Sequence, residues 1–387
     1  MFLENNIDMI TRDIYEGVQK RLFQGKAILL TGPRQVGKTT FLKQLIAGTV
    51  GQQVLSLNCD EPDIRIALEN VTSTQLKALI GKHKLILIDE AQKVSNIGIT
   101  LKLMVDNMED IQIIATGSSA FDLRDKLNEP LTGRKFEYRL FPFSSNELIS
   151  HTSILEERRL LEQRLIYGMY PDVVNHSSDA ITLLKELTNS YLFKDIFALR
   201  DLRRPDELAR LLTALALQVG NEVSYNELGQ TLGIDKETVE RYLELLEKVF
   251  VVFRLNSFSR NVRNELKKSR KVYFFDNGVR NAVINNYAPL ALRNDTGALF
   301  ENFFISERRK YIDYQCIYAN TFFWRTHAQQ EIDYIEERNG VLYAFEIKWK
   351  ENKKCRLPGA FAEAYPDHAF EIITPANYLN FLTLAEI

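Results

Sequence analysis

Residues 26–46 read KAILLTGPRQVGKTTFLKQLI: a short apolar run, a loop bounded by glycines, then apolar residues at helical spacing. Gly32 to Thr39 fits the pattern G-x-x-x-x-G-K-[ST], which has a physical meaning only between a strand and the N-terminus of a helix. Both flanks are present. The predicted nucleotide contacts are Gly32, Pro33, Arg34, Gln35, Val36 and Gly37 in the loop, with Lys38, Thr39 and Thr40 at the helix start. Backbone N–H groups there can cradle phosphate, Lys38 supplies positive charge at the β and γ oxygens, and the Thr39 hydroxyl reaches Mg²⁺.

A loop of this kind needs acids at the end of a strand further along the chain. KLILIDE (84–90) is a continuous apolar run ending in two of them, as a parallel strand buried on both faces would read. Asp89 is expected in the Mg²⁺ shell, and Glu90 is expected to orient or deprotonate the attacking water. Glu90 could also be a solvated loop acid. IQIIATGSS (111–119) reads as a further strand, with Ser118 placed to sense the γ-phosphate. VLSLNCD (54–60) reads as another strand, and VSNIGITLKLMVDNM (94–108) as a helix. Alternation of this kind predicts an α/β fold with an open parallel sheet and its ligand at the strands' C-terminal ends. An arginine should offset charge on the γ-phosphate, in cis or in trans. The candidates are Arg124 and Arg134, and Arg134 is preferred.

The chain's 387 residues leave room for two or three domains. With 45% hydrophobic and 26% charged residues it belongs to the soluble globular class. Its apolar runs are too short to span a bilayer, and the N-terminus lacks the apolar core of a signal peptide. The expected location is cytoplasmic, with no membrane partner. Cys59, Cys316 and Cys355 make neither a disulfide framework nor a zinc pattern. A net charge of −2 exerts no global pull on nucleic acid, so DNA binding would need a local patch.

Residues 151–205 mix polar and apolar residues at helical spacing, broken at Gly168 and Pro171, and read as a helical lid and linker. DELARLLTALALQVG, SYNELGQTLGI and DKETVERYLELLEKVFVVFRL then follow the order of a winged helix over 206–285, with Ser224 and Asp235 as N-caps and Gly233 in the turn. The second helix of that pair exposes Glu237, Glu240, Glu244 and Glu247, which phosphates would avoid. Residues 254–271 carry seven basic residues and one Glu, a patch that could hold DNA or simply protect a sheet edge.

EIDYIEERNGVLYAFEIKW (331–349) reads as a hairpin about Asn339-Gly340, where a type I′ turn requires positive φ twice. In that register Asp333 faces Glu346 and Glu331 faces Lys348. Strict alternation puts Ile335 and Ala344 on the same face, and Ile332, Tyr334, Phe345 and Ile347 on the other. Two opposed carboxylates repel and call for a cation, which makes Asp333 and Glu346 candidate metal ligands. A cross-strand ion pair between Lys348 and Glu331 is the plainer alternative at its own rung.

GPRQVGKTT, LILIDEAQ, ATGSSA and LTGRKFEYRLFPFSSNEL, with YLFKDI, KVYFFDNGVRN, GALFENFF and EIDYI...FEIK, resemble the prokaryotic AAA-type ATPases that carry a conserved C-terminal region of unknown function. The resemblance covers nearly the whole chain. It implies an ATPase core over 1–150, with ATP and Mg²⁺ as cofactors, then the winged helix and, over 286–387, a restriction-endonuclease-like α/β domain of the PD-(D/E)xK kind. That second likeness carries roles onto Glu301, Asp333, Glu346 and Lys348: the two hairpin acids sharing Mg²⁺, Lys348 supporting the nucleophile or scissile phosphate, Glu301 completing the site. The first acid departs from the pattern, being preceded by Ile332 where a proline is usual. Two functions remain open at this level. One is an ATPase gating a DNA-associated nuclease; the other is a signalling or scaffold switch with an inactive nuclease-like domain and protein partners or self-association.

Overall fold

β1 (Ala27–Thr31) is buried along its whole length and lies inside a parallel sheet with β2 (Val54–Asn58), β3 (Leu85–Asp89), β4 (Gln112–Gly117) and β5 (Lys135–Arg139), in the order β2-β3-β4-β1-β5. The computed structural model describes residues 9–48, 53–117, 131–192, 204–260, 270–350 and 355–383. Every pairing in this sheet is parallel. One of its faces is covered by the helices Ser73–Ile80 and Ile97–Asn107, whose Leu76, Ile80, Leu101 and Met104 join Ile86, Ile88, Ile113 and Ala115 in one apolar cluster. Apolar runs such as LILI therefore sit where no polar side chain could be satisfied.

The chain divides into two compact units, Met1–Pro142 with Lys248–Phe250, and Phe143–Glu247 with Val251–Ile387. In the second unit a mixed sheet runs β12-β11-β10-β9-β7-β8-β6. Its strands are β6 (Glu222–Val223), β7 (Val252–Ser257), β8 (Arg270–Phe274), β9 (Asn320–Arg325), β10 (Glu331–Arg338), β11 (Val341–Ile347) and β12 (His368–Ile373). The join is the parallel pairing of β7 with β9, Asn256 level with Phe322 and Ser257 with Phe323. The stretches 206–285 and 286–387, expected as separate modules, thus contribute to a single sheet.

Local signals are realised closely. Ser224 accepts from the Glu227 amide and Asp235 from the Thr238 amide, and Gly233 ends the helix Tyr225–Leu232 at φ 71°. Gly168 at φ 73° closes the helix Leu161–Tyr167, and Pro171 opens the next. Asn339 and Gly340 take φ of 50° and 82°, as the hairpin turn requires, and the β10–β11 register pairs Tyr334 with Phe345 and Ile335 with Ala344.

One expectation about the hairpin is corrected. The pairing of β10 with β9 shifts by a residue between Ile332 and Ile335. A bulge of this kind breaks strict alternation and re-aims side chains. Ile332 consequently joins Ile335, Ala344, Trp324 and Phe361 in one apolar cluster, whereas alternation had put Ile332 and Ile335 on opposite faces.

Candidate functional site

In the first unit the strand-loop-helix is built around three constraints. Gly32 admits no side chain, because a Cβ there would stand 2.0 Å from the Leu140 carbonyl oxygen. Gly37 takes φ 87° and opens the helix Lys38–Ala47, with the Phe41 amide donating to its carbonyl at 2.8 Å. Lys38 is buried and donates from Nζ to the carbonyls of Gly32 at 2.9 Å and Pro33 at 2.8 Å. Those are contacts for which a phosphate oxygen would compete.

The end of β3 meets this loop. Thr39 Oγ1 donates to Asp89 Oδ2 at 2.9 Å, although fifty residues separate the two in sequence. The other carboxylate oxygen, Oδ1, accepts from the Thr116 hydroxyl and from the Glu90 amide. Asp89 is thereby fixed from both sides, and its oxygens with the Thr39 hydroxyl are the hard donors that Mg²⁺ takes. Glu90 itself adopts φ 53°, ψ 39°, a left-handed conformation that costs a non-glycine residue roughly 1–2 kcal/mol. Gln92 Nε2 donates to Glu90 Oε2 at 2.6 Å and steadies the carboxylate beside the loop's acid.

Within the chain Arg134 lies away from this site, so the expectation placed on it is left to its trans form. Parallel pairing sets Lys135 level with Ala27 and Arg139 level with Thr31, so Arg134 lies before the start of the strand that ends at the loop. Four rungs of strand are roughly 13 Å. Its guanidinium instead pairs with Asp106 at 2.6 Å. Arg139, at the loop end of β5, is the basic residue the topology favours, and sequence reading passed over it. Ser118 and Arg124 lie outside the described residues. Arg12 was also missed: it is buried and reaches the Val36 carbonyl at 2.7 Å, a contact that carries no sequence motif. Thr116 closes the ATG strand and could have been suspected from its place there.

This is the geometry of a phosphate-binding domain with a paired acid, and comparison with known families agrees. Residues 24–149 match the family described as "AAA domain". Two further matches follow it, "Domain of unknown function (DUF8612)" over 158–290 and "Domain of unknown function (DUF4143)" over 296–378. An uncharacterized protein of Mycobacterium tuberculosis is 28% identical over 346 residues, covering 87% of this chain and 73% of that protein. An uncharacterized protein of Methanocaldococcus jannaschii is 25% identical over 384 residues, covering 93% of this chain and 82% of that one. Among solved structures, a Walker-type ATPase of Pyrococcus abyssi aligns with TM-score 0.48 at 16% identity, covering 72% of this chain and 96% of that chain. An AAA domain implies ATP binding by this segment. Among the described residues no helix is long and apolar enough to cross a membrane.

In the second unit, Glu301, Asp333, Glu346 and Lys348 do come together, from the helix Thr296–Tyr314, β10 and the end of β11. Lys348 lies between the two hairpin acids, 3.3 Å from Asp333 Oδ2 and 2.7 Å from Glu346 Oε1. It does not take the partner that its rung suggested. Glu331 pairs with Lys271 at 2.5 Å and with Arg325 at 3.8 Å. Lys271, which had been counted in the basic patch, is buried and also meets Glu301 at 3.3 Å. The Tyr273 hydroxyl donates to Glu301 Oε1 at 2.6 Å.

Burial raises the Glu301 carboxyl to about 7, against the pull of Lys271 and with the push of Asp333. Burial and Asp333 likewise raise Glu346. For both lysines burial would lower the ammonium, but the surrounding carboxylates outweigh it and hold each above the ordinary value. The repulsion that called for a metal ion is thus met by two ammonium groups. Among the described residues no group of three acids, histidines or cysteines is arranged to hold a metal ion. The donor set here does not fit Mg²⁺ as it stands.

Proposed function

We propose that this chain hydrolyses ATP in its first unit and acts as a nucleotide-controlled switch whose second unit engages a macromolecular partner. One observation carries the ATPase reading: the hydrogen bond from Thr39 to Asp89, which brings the loop hydroxyl and the strand acid to the same point. Lys38 would leave the carbonyls of its own loop to meet the β and γ oxygens. Thr39 and Asp89 would hold Mg²⁺, which supplies charge neutralisation at the phosphates. Glu90, steadied by Gln92, would accept the proton of the attacking water. Release of phosphate from ATP by wild type, Lys38→Ala and Glu90→Gln tests this. Lys38→Ala should lose binding, and Glu90→Gln should bind ATP while turning it over far more slowly; turnover at the wild-type rate in Glu90→Gln would remove Glu90 from the mechanism.

We read the second unit as a winged-helix module continuous with a nuclease-like one. Of the seven basic residues in 254–271, Arg254 is held by Glu247, Arg270 by Glu240, and Lys271 by buried acids. Arg260 lies 5.7 Å above the Tyr365 ring. Arg263, Lys267 and Lys268 lie outside the described residues. The row of Glu237, Glu240 and Glu244 on the helix Lys236–Lys248 would repel phosphates and favours a protein partner over DNA. The gathering of Glu301, Asp333, Glu346 and Lys348 supports a second reading, Mg²⁺-dependent cleavage of DNA, and the lysine between the two hairpin acids opposes it. Plasmid incubated with the chain and Mg²⁺, with Glu346→Ala and Lys348→Ala as controls, separates the two. Cleavage by wild type that both variants lose would replace the switch reading of the second unit.

A further inference from the structure

The acid cluster of the second unit holds two ammonium groups of very different character. Lys348 keeps 35% of its side-chain surface exposed and can swing toward solvent. Lys271 keeps 2%. Its Nζ lies 2.5 Å from Glu331, 3.3 Å from Glu301 and 3.9 Å from Asp333 Oδ1, and 5.5 Å from the centre of the Phe323 ring. It therefore joins β8 to β10 and to the helix Thr296–Tyr314. The other Asp333 oxygen, Oδ2, accepts from the Ile347 amide at 2.9 Å and from Lys348. Each oxygen of the central acid thus faces an ammonium group. A divalent ion approaching Asp333 would stand within a few ångströms of two like charges, one of which has no route out of the way.

We propose that Lys271 is the resident cation of this cluster, occupying the role a metal ion would otherwise take, so that the site is closed to divalent ions. The lysine is a built-in counter-ion that locks three elements of the second unit together, and the cluster is metal-independent by construction. Removing its charge, with the volume kept, should open a place for an ion among Glu301, Glu331 and Asp333, three acids that would then keep only Lys348 and the more distant Arg325 as counter-charges. The inference concerns the cluster that the switch reading treats as non-cutting, and the two can fail separately. A chain that binds metal at the cluster without cutting DNA defeats only the inference, and one that cuts DNA without binding metal there defeats only the switch reading.

The test uses the full-length chain carrying Asp89→Asn, which silences metal binding in the first unit, and measures Mn²⁺ uptake by electron paramagnetic resonance together with the thermal midpoint. The Asp89→Asn chain should take up no ion at millimolar Mn²⁺, and its midpoint should not move. Adding Lys271→Met should create one Mn²⁺ site and a midpoint that climbs as Mn²⁺ is added, both abolished by a further Asp333→Asn. If Lys271→Met fails to fold alone, refolding in Mn²⁺ should restore the native circular dichroism spectrum. Uptake by the Asp89→Asn chain that Asp333→Asn removes would overturn the proposal, as would a Lys271→Met chain that neither gains an ion nor is stabilised or refolded by it.

Discussion

The guanidinium of Arg12 donates to the carbonyl of Val36 at 2.7 Å, from a position twenty-four residues earlier in the chain. A second arm reaches the Phe141 carbonyl at 2.6 Å. One buried cation thus ties the phosphate-binding loop to the segment that follows β5. Arg12→Ala would leave two buried carbonyls without that donor, at a cost of about 1–3 kcal/mol each. A lower thermal midpoint and weaker ATP binding are expected together, measured by calorimetry and nucleotide titration, with partial recovery in Arg12→Lys. Unchanged affinity in a destabilised variant would show that Arg12 supports the fold and not the loop.

Gly32→Ala should abolish ATP binding while leaving the circular dichroism spectrum near that of wild type. The added carbon would collide with the Leu140 carbonyl, a backbone atom that cannot turn aside. The measurement is equilibrium binding of a fluorescent ATP analogue, and binding within a few-fold of wild type would contradict the close approach.

Glu301 makes a prediction about pH. Its carboxyl is raised to about 7 from an ordinary 4.5, so the folded chain holds a proton over a range where the unfolded chain releases it. The resulting stability is complete below about 4.5 and is lost as pH climbs through about 7. Denaturant unfolding of wild type and Glu301→Gln at several pH values checks the sign: across that window wild type should lose stability relative to the variant.

Arg308 and Glu336 form a two-pronged pair, 2.7 and 3.1 Å, with both side chains almost wholly buried. Breaking one side leaves buried Glu336 with only Arg338, 3.3 Å away, to offset its charge, so Arg308→Met alone should cost about 3 kcal/mol. The double change Arg308→Met with Glu336→Leu should recover much of that loss. Additive destabilisation in urea titrations would contradict a pairwise account.

Much of the first unit was legible because its chemistry is local. Strand, glycine loop and helix follow within twenty residues, and the acids of β3 are the last letters of an apolar run. The place of Arg134 was hidden because the order of strands, and with it the end of the sheet where a residue lies, cannot be read from spacing. The hairpin register followed from a two-residue turn, but the bulge in β10 left no mark on the pattern of apolar letters. Lys271 was hidden for a different reason. It sits in a run of basic residues, and only tertiary packing decides that this lysine turns inward to Glu301 and Glu331 while Arg270 turns toward Glu240.

The parallel ladder between β7 and β9 has a practical meaning for how such chains are divided. The recognised segments end and begin near residue 293, between two strands that are hydrogen-bonded neighbours. Scissors applied at that point would tear a continuous sheet, leaving β7 with a raw edge and β9 without its flank. Each half would then be prone to aggregate, and the pair is better regarded as one inherited piece than as two interchangeable parts.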